Sequence, residues 1–438
     1  MHESLSHSLQ SAKRPARVLV LWLVLAAAVG LVCGGVGTAF HLSVEAVTEL
    51  RGEHGWILWL LPLAGLVIVA LYKGTRCEGM GTNNVIRAVQ SGEAVSPLLV
   101  PAIFLGTVLT HLCGGSAGRE GAALQMGGSI GYNVGRLFRL SDHDRRTATV
   151  CGMAAFFSAL FGTPLAATMF AIMVISVGNF YHTAFIPCFA ASLVSYGISM
   201  WLGVAPTRFA VAVPSLAPAN LLEVAVLAAL CAWVSAIFCK LLNFTERRAA
   251  KLIPNAWLRA AAGGCAIIAL TLLCGTTDYN GAGMDVITAA VEQGTAKPEA
   301  FIMKIIFTVI TLSAGFKGGE VVPSFFIGAT FGCAAAPLLG LPAGFGAALG
   351  LVSVFCGATN CPMASIFLSI ELFGGSGVLY FALACGVSYM LSGYNGLYSS
   401  QTILYSKLKA QYINVHTNAY HAGGSEENLP HVKGSLKE

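Results

Sequence analysis

The chain has 438 residues, of which 56% are hydrophobic, and only 45 carry a charge: 25 Lys plus Arg and 20 Asp plus Glu. Soluble proteins have roughly 25% charged residues, so the composition excludes a soluble domain of this size. The net charge of +5 is spread over loops and tails and gives no sign of a nucleic-acid partner. Apolar stretches of about 20 residues, enough to cross a bilayer, recur between Val18 and Met390. The sequence therefore predicts an all-α polytopic membrane protein.

The two ends of the chain are polar. Residues 1–17 carry three basic side chains directly before the first apolar run, residues 18–40. Basic residues beside a span stay in the cytoplasm, so we expect a cytoplasmic N-terminal tail. The apolar run is too long for the hydrophobic part of a signal peptide, and we predict a retained first span. Residues 410–438 are predicted to be a disordered cytoplasmic tail.

An internal repeat divides the region between the tails. Several residues recur at an offset of 201, and they include the pairs Val85/Val286, Pro97/Pro298, Thr107/Thr308 and Thr110/Thr311. Farther on, Gly118-Arg119-Glu120 recurs as Gly318-Gly319-Glu320 at an offset of 200, which places Glu320 opposite Glu120. We predict two transmembrane repeats, residues 18–215 and 216–409. Matching halves in transporters usually enclose the binding site.

Glycine-rich polar segments interrupt the apolar sequence at three places: residues 79–84, 114–121 and 315–323. Each directly precedes a helix-like run. Irregular backbone at membrane depth is tolerated only where it is buried or lines a cavity. Helices that begin inside the bilayer point free N–H groups and their positive dipole end at that cavity. The sequence therefore predicts an anion pathway at the interface of the two halves.

These segments resemble the CLC family of chloride channels and anion/proton antiporters, over residues 16–409. The most specific match is Gly118-Arg119-Glu120-Gly121, which in that family opens a half-spanning helix whose glutamate is the gate and proton carrier. Residues 155–172 and 396–399 match as well, the latter before a last amphipathic helix. The resemblance implies a CLC-type fold of two inverted repeats with broken and half-spanning helices. It also implies a homodimer with one pathway per subunit.

Where this sequence departs from the chloride-type pattern, it resembles the fluoride-exporting subgroup of that family. Chloride-type members have Gly-Ser-Gly-Ile-Pro with the serine on the anion, whereas this chain has Met80 at the serine position. In the second half, their Gly-Ile-Phe-Ala-Pro is replaced by residues 319–323, which contain Glu320. The inner glutamate of proton-coupled chloride members has no counterpart in residues 172–175.

The resemblance and the glycine-rich segments together give one predicted site, with Glu120 as gate and proton carrier. The predicted anion-binding residues are Met80, Thr82, Asn83, Gly118, Arg119, Gly121, Glu320, Val321, Val322 and Tyr398. Some fluoride-type members have a threonine where this chain has Val322. The anion contacts there would come from backbone N–H groups, or Val322 lines the pathway without touching the ion.

Two carboxylates have structural alternatives. Glu120 lies in an apolar region, where a charge costs at least about 2.5 kcal/mol and is a functional-site hypothesis by default. A salt bridge with Arg119 is the alternative, but adjacent residues on a helix do not face one another. Glu320 is either part of the ion path or a carboxylate that binds N–H groups at a helix start. Glu371, in contrast, is expected to bind neighbouring backbone or side chains.

Four further candidates have equally ordinary alternatives. Tyr398 is an anion ligand or an interfacial tyrosine. Met80 lines the pathway or fills a gap in the packing. Thr82 and Asn83 donate hydrogen bonds to an anion or cap the following helix.

The sequence thus predicts a fluoride/proton antiporter of a bacterial plasma membrane that exports fluoride, and not an enzyme. A chloride/proton antiporter or a passive anion channel is the alternative within the family. An intramembrane enzyme or a cation-coupled carrier of organic solutes is the alternative from another class. Neither a phosphate-binding loop nor metal-ligand spacing is present, so no cofactor or metal is expected. The expected partners are fluoride, protons, the lipid bilayer and a second copy of the chain.

Overall fold

The computed structural model describes residues 2–418, with side chains from residue 16 onward. Within that range the chain forms sixteen α-helices and one small sheet. The helices are α1 His2–Glu53, α2 Leu61–Gly74, α3 Thr82–Ser91, α4 Leu99–Leu112, α5 Glu120–Leu137, α6 Asp142–Phe161, α7 Pro164–Met173, α8 His182–Trp201, α9 Pro218–Leu252, α10 Ala256–Cys274, α11 Met284–Thr288, α12 Ala300–Ser313, α13 Val321–Ala335, α14 Ala343–Thr359, α15 Pro362–Phe373 and α16 Val378–Leu391. The strands are β1 Ser176–Val177, β2 Thr402–Tyr405 and β3 Tyr412–His416.

Some of these helices span a membrane and others reach only part of the way. The described chain has six segments long and apolar enough to cross: Ala16–Glu53, Gly55–Gly74, His182–Trp201, Pro218–Leu252, Ala256–Cys274 and Val321–Leu339. At 1.5 Å per residue, the ten residues of α7 and the twelve of α15 are too short for a hydrocarbon core about 30 Å thick. The all-α polytopic fold with half-spanning helices is therefore confirmed.

Glycines let helices of the same half pack with their backbones in contact. A Cβ atom on Gly127 of α5 would lie 2.2 Å from the carbonyl oxygen of Gly152 on α6. In the second half, a Cβ atom on Gly328 of α13 would lie 2.2 Å from the carbonyl oxygen of Gly350 on α14. Small residues of this kind bring membrane helices together. The α5–α6 and α13–α14 pairs therefore form two similar dense units around the centre.

Two threonines join the halves by reciprocal hydrogen bonds. The backbone N–H of Lys317 donates to Thr110 Oγ1 at 3.2 Å, and the backbone N–H of Ser116 donates to Thr311 Oγ1 at 3.1 Å. Both threonines and both loop residues are buried or nearly so. Each loop thus donates a backbone N–H to a threonine on a helix of the other half, and the offset of 201 found for the threonines also relates the two loop residues.

The loops before α5 and α13 also pair directly. Gly118 and Gly319 exchange two backbone hydrogen bonds, each 2.7 Å long, in an antiparallel bridge. The helices begin two residues after these glycines, so Arg119 and Glu320 are the equivalent N-cap residues. The two repeats are therefore still related by an offset of 201 residues at the N-caps of α5 and α13. The expectation that Glu320 is the repeat mate of Glu120 is wrong, because it followed matching letters rather than the positions at which the helices start.

A hairpin, and not an amphipathic helix, follows Tyr398. Strand β2 pairs in parallel with β1 and antiparallel with β3, so the expected last helix is absent from the described residues. The strands are rich in β-branched and aromatic residues, which favour a sheet. The buried ammonium of Lys407, between the two strands, donates to Asn360 Oδ1 and Ser392 Oγ. Part of the predicted disordered tail is thus strand β3, and residues 419–438 lie outside the described residues.

One face of the molecule gathers basic side chains. Arg146 donates to the carbonyl of Gln90, which in turn donates to the carbonyl of Ser400. Beside them, Arg87 and Arg247 line one cavity with Ser400. Because Lys and Arg are enriched on the cytoplasmic side of membrane proteins, the charge distribution predicts that this face lies in the cytoplasm.

The reciprocal threonine bonds predict a measurable loss of stability. Thr311→Val leaves the buried N–H of Ser116 without its acceptor, and an unsatisfied buried donor costs about 1–3 kcal/mol. The melting temperature in detergent is expected to fall. Thr330→Val is the matched control, because Thr330 is equally buried but its hydroxyl bonds only to carbonyls of its own helix. Equal destabilisation by the two variants would contradict the role given to the cross-half bond.

Candidate anion-binding site

The carboxylate of Glu120 lies where the N-termini of α5 and α13 meet. The side chain is fully buried, and Oε2 accepts a hydrogen bond from the backbone N–H of Arg119 at 3.0 Å. The backbone N–H groups of Glu120 and Val322 also lie close enough to the carboxylate to stabilise its negative charge. Helix N-termini with free N–H groups are anion-binding sites. The carboxylate therefore occupies a position built for an anion, with donors from both halves of the chain.

Arg119 contacts this carboxylate without making a side-chain hydrogen bond to it. Its Nε lies 3.8 Å from Glu120 Oε1, and within the described residues Oε1 has no hydrogen-bond partner. The expectation that the two neighbours do not face each other is wrong, because Arg119 is the N-cap, outside the regular helix. The ion pair coexists with an unpaired oxygen, which leaves the carboxylate one free acceptor for a proton.

Two other buried oxygens around the paired loops are also unpaired. Within the described part of the chain, neither Glu320 Oε2 nor Tyr398 Oη has a hydrogen-bond partner. Glu320 lies against Gly121, where an added Cβ atom would come within 2.8 Å of Oε2. The Tyr398 hydroxyl interacts electrostatically with the carboxylates of Glu320 and Glu120. Leaving a buried polar atom unpaired costs about 1–3 kcal/mol, so three such atoms in one place indicate a functional site.

The small and apolar members of the predicted site lie beside the same carboxylate. A Cβ atom on Gly118 would meet Glu120 Oε2 at 2.8 Å and the Cβ of Val322 at 2.9 Å. Val321 and Val322 are buried, and Val322 offers its backbone N–H to the carboxylate. Of the two possibilities left open for Val322, the geometry favours backbone contact.

The α3 residues make bonds that hold the surroundings of the site. Thr82 Oγ1 donates to the carbonyl of Gly121 at 3.4 Å and accepts from Gln125 at 3.2 Å. Asn83 Oδ1 accepts from the backbone N–H of Ser400 at 2.9 Å. Met80 is half-buried just before the helix and packs against the core. Within the described residues, no hydrogen bond joins these side chains to Glu120. The side-chain oxygens of Thr82 and Asn83 have structural partners, and the role of all three residues toward an anion stays a prediction.

A cavity of about 440 Å³ opens beside the site on this basic face. It is lined by Arg87 and Arg247 together with Ser399 and Ser400, which directly follow Tyr398. Two exposed cations at this mouth would attract anions from the cytoplasm. Neither arginine is among the site residues predicted from the sequence. Arg87 had a usable signal, since it lies less than two turns after Thr82 on the same predicted helix, whereas Arg247 comes from the distant end of α9.

Glu371 has the structural role expected for it. Its two carboxylate oxygens accept the backbone N–H groups of Leu165 and Ala166, at 3.0 and 2.8 Å. The carboxylate therefore satisfies the N-terminus of α7. It lies apart from the loops that hold Glu120 and Glu320.

Comparisons with known proteins agree with this architecture. The family profile described as voltage gated chloride channel matches residues 64–393. A "Chloride/fluoride channel protein" from Pseudomonas syringae pv. tomato is 37% identical over 397 residues, covering 88% of this chain and 87% of the relative. The "H(+)/Cl(-) exchange transporter ClcA" of Vibrio vulnificus is 26% identical over 382 residues, covering 80% of this chain and 81% of the relative.

Solved structures agree as well. The crystal structure of a CLC-type fluoride/proton antiporter is similar with a TM-score of 0.85 and 34% identity, covering 88% of this chain and 98% of the other. A slow cyanobacterial Cl⁻/H⁺ antiporter is similar with a TM-score of 0.75 and 20% identity, covering 85% and 94%. The second likeness shows the fold alone.

The close contact at Gly118 predicts that a methyl group there disrupts the site. Gly118→Ala places its Cβ against Glu120 Oε2 and Val322, so the carboxylate can no longer reach the N–H groups. We expect anion transport by the reconstituted protein to fall at least about tenfold, a change of ~1.4 kcal/mol in the barrier. Gly35→Ala is the control, because an added Cβ there meets no atom within 4 Å. Wild-type transport by Gly118→Ala would contradict the assignment.

Proposed function

The chain belongs to the voltage-gated chloride channel (CLC) family of multi-pass membrane transport proteins, and we propose that it is a fluoride/proton antiporter. It exports fluoride from the cytoplasm of a bacterium in exchange for protons entering across the plasma membrane. The observation that carries the proposal is the buried Glu120 carboxylate, held by N–H groups of two half-helices and left with one unpaired oxygen.

Proton movement and anion movement are coupled because both depend on the protonation state of the Glu120 carboxylate. Ionised Glu120 takes the place of an anion and receives charge-assisted hydrogen bonds from the helix termini. Protonation removes that charge and weakens those bonds, so a free anion can take the N–H groups. When the proton leaves, the carboxylate displaces the anion again. Glu120 therefore carries the proton and gates the anion in one cycle.

The donors around the carboxylate fit a small anion. Fluoride is strongly hydrated, and its desolvation must be offset by close hydrogen bonds. Backbone N–H groups on Arg119 and Val322 and the Tyr398 hydroxyl supply neutral donors, and the Arg119 guanidinium adds a positive charge 3.8 Å from Glu120 Oε1. The presence of Met80 and Glu320, and the likeness to the fluoride/proton antiporter structure at 34% identity, support fluoride over chloride as the exported ion.

We further propose that the protein is a homodimer. The helices α8, α15 and α16 expose large apolar side chains that either lipid or a partner must cover: Ile186, Leu193, Met363, Leu379 and Met390. The family resemblance supports a partner subunit at this surface, with each subunit keeping its own pathway. Light scattering of the protein in mild detergent is expected to give twice the mass of one chain, and a single-chain mass would oppose the dimer.

The proton role of Glu120 is tested by Glu120→Gln in liposomes. Glutamine keeps the shape of the side chain but cannot take up or release a proton near neutral pH. We expect fluoride-driven proton movement to fall to the level of protein-free liposomes, measured with a pH indicator and a fluoride electrode. Glu49→Gln, on an exposed part of α1, removes the same charge and should leave coupling intact. Coupled exchange in Glu120→Gln would show that another group carries the proton.

Met80 is tested through ion preference. Met80→Ser introduces the hydroxyl that chloride-type members of the family hold against the anion, and we expect the fluoride-over-chloride preference to drop about tenfold, or ~1.4 kcal/mol. The measurement compares initial efflux of the two ions from identically loaded liposomes. Met303→Ser, at a methionine that is also half-buried against the core, controls for the loss of a methionine as such. An unchanged preference in Met80→Ser would reduce Met80 to a packing residue.

A further inference from the structure

The last third of α9 projects beyond the bilayer on the cytoplasmic face. The helix has 35 residues and is therefore about 52 Å long, whereas the hydrocarbon core is about 30 Å thick. Lys240 lies about 33 Å from its start, near the point where the helix leaves the apolar layer. The residues after it, up to Leu252, lie at the depth of the lipid headgroups or in the cytoplasm.

This end of α9 forms one wall of a basic groove, which has a volume of about 520 Å³. The helix contributes Lys240, Phe244, Arg247, Arg248 and Lys251, whose spacing places them on one face. The opposite wall includes Asn395 and Asn418, and no carboxylate lines the groove. Among the described residues, none of the four cations is in an ion pair. The groove thus offers uncompensated positive charge to an anionic group.

An apolar cavity continues from the groove toward the bilayer. It has a volume of about 450 Å³, is lined by Trp233, Ile237 and Leu391, and shares Lys240 with the groove. Trp233 is 67% exposed, and the guanidinium of Arg248 stacks 5.2 Å from the ring centre of Phe244. A ligand that fits both cavities therefore has a negatively charged head and an apolar body.

We infer that this groove binds the phosphate headgroup of an anionic phospholipid of the inner leaflet, with an acyl chain along Trp233 and Ile237. Clusters of basic residues on the cytoplasmic side of a span attract anionic lipids, and tryptophan favours the membrane interface. A soluble phosphate would use the cations but gain nothing from the apolar cavity. The inference does not depend on which ion the protein transports.

The chain itself supplies one rival occupant. Residues 419–438 follow directly after Asn418 in the groove wall and contain Glu426, Glu427 and Glu438. A tail that occupied the groove would compete with lipid. A chain ending at Asn418 removes this rival while keeping the groove residues.

The test compares lipid binding by native mass spectrometry in mild detergent, with phosphatidylglycerol and phosphatidylcholine of the same acyl chains. We expect the full chain to prefer phosphatidylglycerol and the triple variant Lys240→Gln, Arg248→Gln, Lys251→Gln to lose at least about tenfold of that preference. Arg247 is left intact because it also lines the cavity next to Tyr398. The triple variant Arg76→Gln, Arg136→Gln, Arg139→Gln removes the same charge from exposed positions and should keep the preference.

Several outcomes would overturn the inference. One is a triple variant of the groove that keeps its preference for phosphatidylglycerol while its melting temperature and its elution in size-exclusion chromatography match the wild type. Another is inorganic phosphate that displaces phosphatidylglycerol at equal concentration, which would make the groove a site for soluble anions. A third is a preference that emerges only in the chain ending at Asn418, which would make the tail the natural occupant. If the triple variant of the groove has a lower melting temperature than the wild type, the single variant Lys251→Gln replaces it in the test, with a smaller expected loss of preference of about fivefold.

Discussion

The pairing of Gly118 with Gly319 is the contact on which the rest of the structure depends. Two backbone hydrogen bonds of 2.7 Å hold the starts of α5 and α13 side by side in the centre of the molecule. Only residues without side chains allow this approach, since a Cβ atom on Gly319 would lie 2.3 Å from the backbone nitrogen of Gly121. The pairing joins two positive helix ends, and the Glu120 carboxylate provides the negative charge that such a junction attracts.

The surrounding structure holds this junction and leaves part of it unsatisfied. The threonine bonds between the halves and the glycine contacts of α5 with α6 are fully formed. At the centre, in contrast, the described residues leave Glu120 Oε1, Glu320 Oε2 and Tyr398 Oη without hydrogen bonds. Rigid, satisfied surroundings and an unsatisfied centre are what a site needs when its partners, an anion and a proton, come and go.

Much of this could be predicted from residue patterns. The apolar runs predict the membrane fold, the glycine-rich segments predict half-helices around an anion site, and the family resemblance identifies Glu120. The repeat predicts Thr110 and Thr311 as a pair, and in the structure each accepts a backbone N–H from the loop of the other half. The sequence alone pairs Glu320 with Glu120, because shifting the alignment of the repeats by one residue matches more identical residues. The helix starts and the backbone pairing keep the offset of 201, which makes Arg119 the equivalent of Glu320.

Other features depend on contacts between distant parts of the chain, which a linear pattern does not contain. Residues 402–416 form a hairpin whose connecting loop is anchored by the Lys407 ammonium on Asn360 and Ser392. Arg87 and Arg247 share a cavity only because α3 and the end of α9 meet at one face. Charge counting along the chain shows the basic residues but cannot sort them into a pathway mouth and a separate groove.

The coupling of an outward anion to an inward proton through one carboxylate is tested by recording both ions in the same experiment. Purified protein in liposomes loaded with fluoride and chloride is given an outward anion gradient, while both anions and the internal pH are recorded. The account predicts fluoride efflux with proton uptake into the liposomes and little chloride movement. Anion efflux without proton movement, or chloride efflux as fast as that of fluoride, would contradict it.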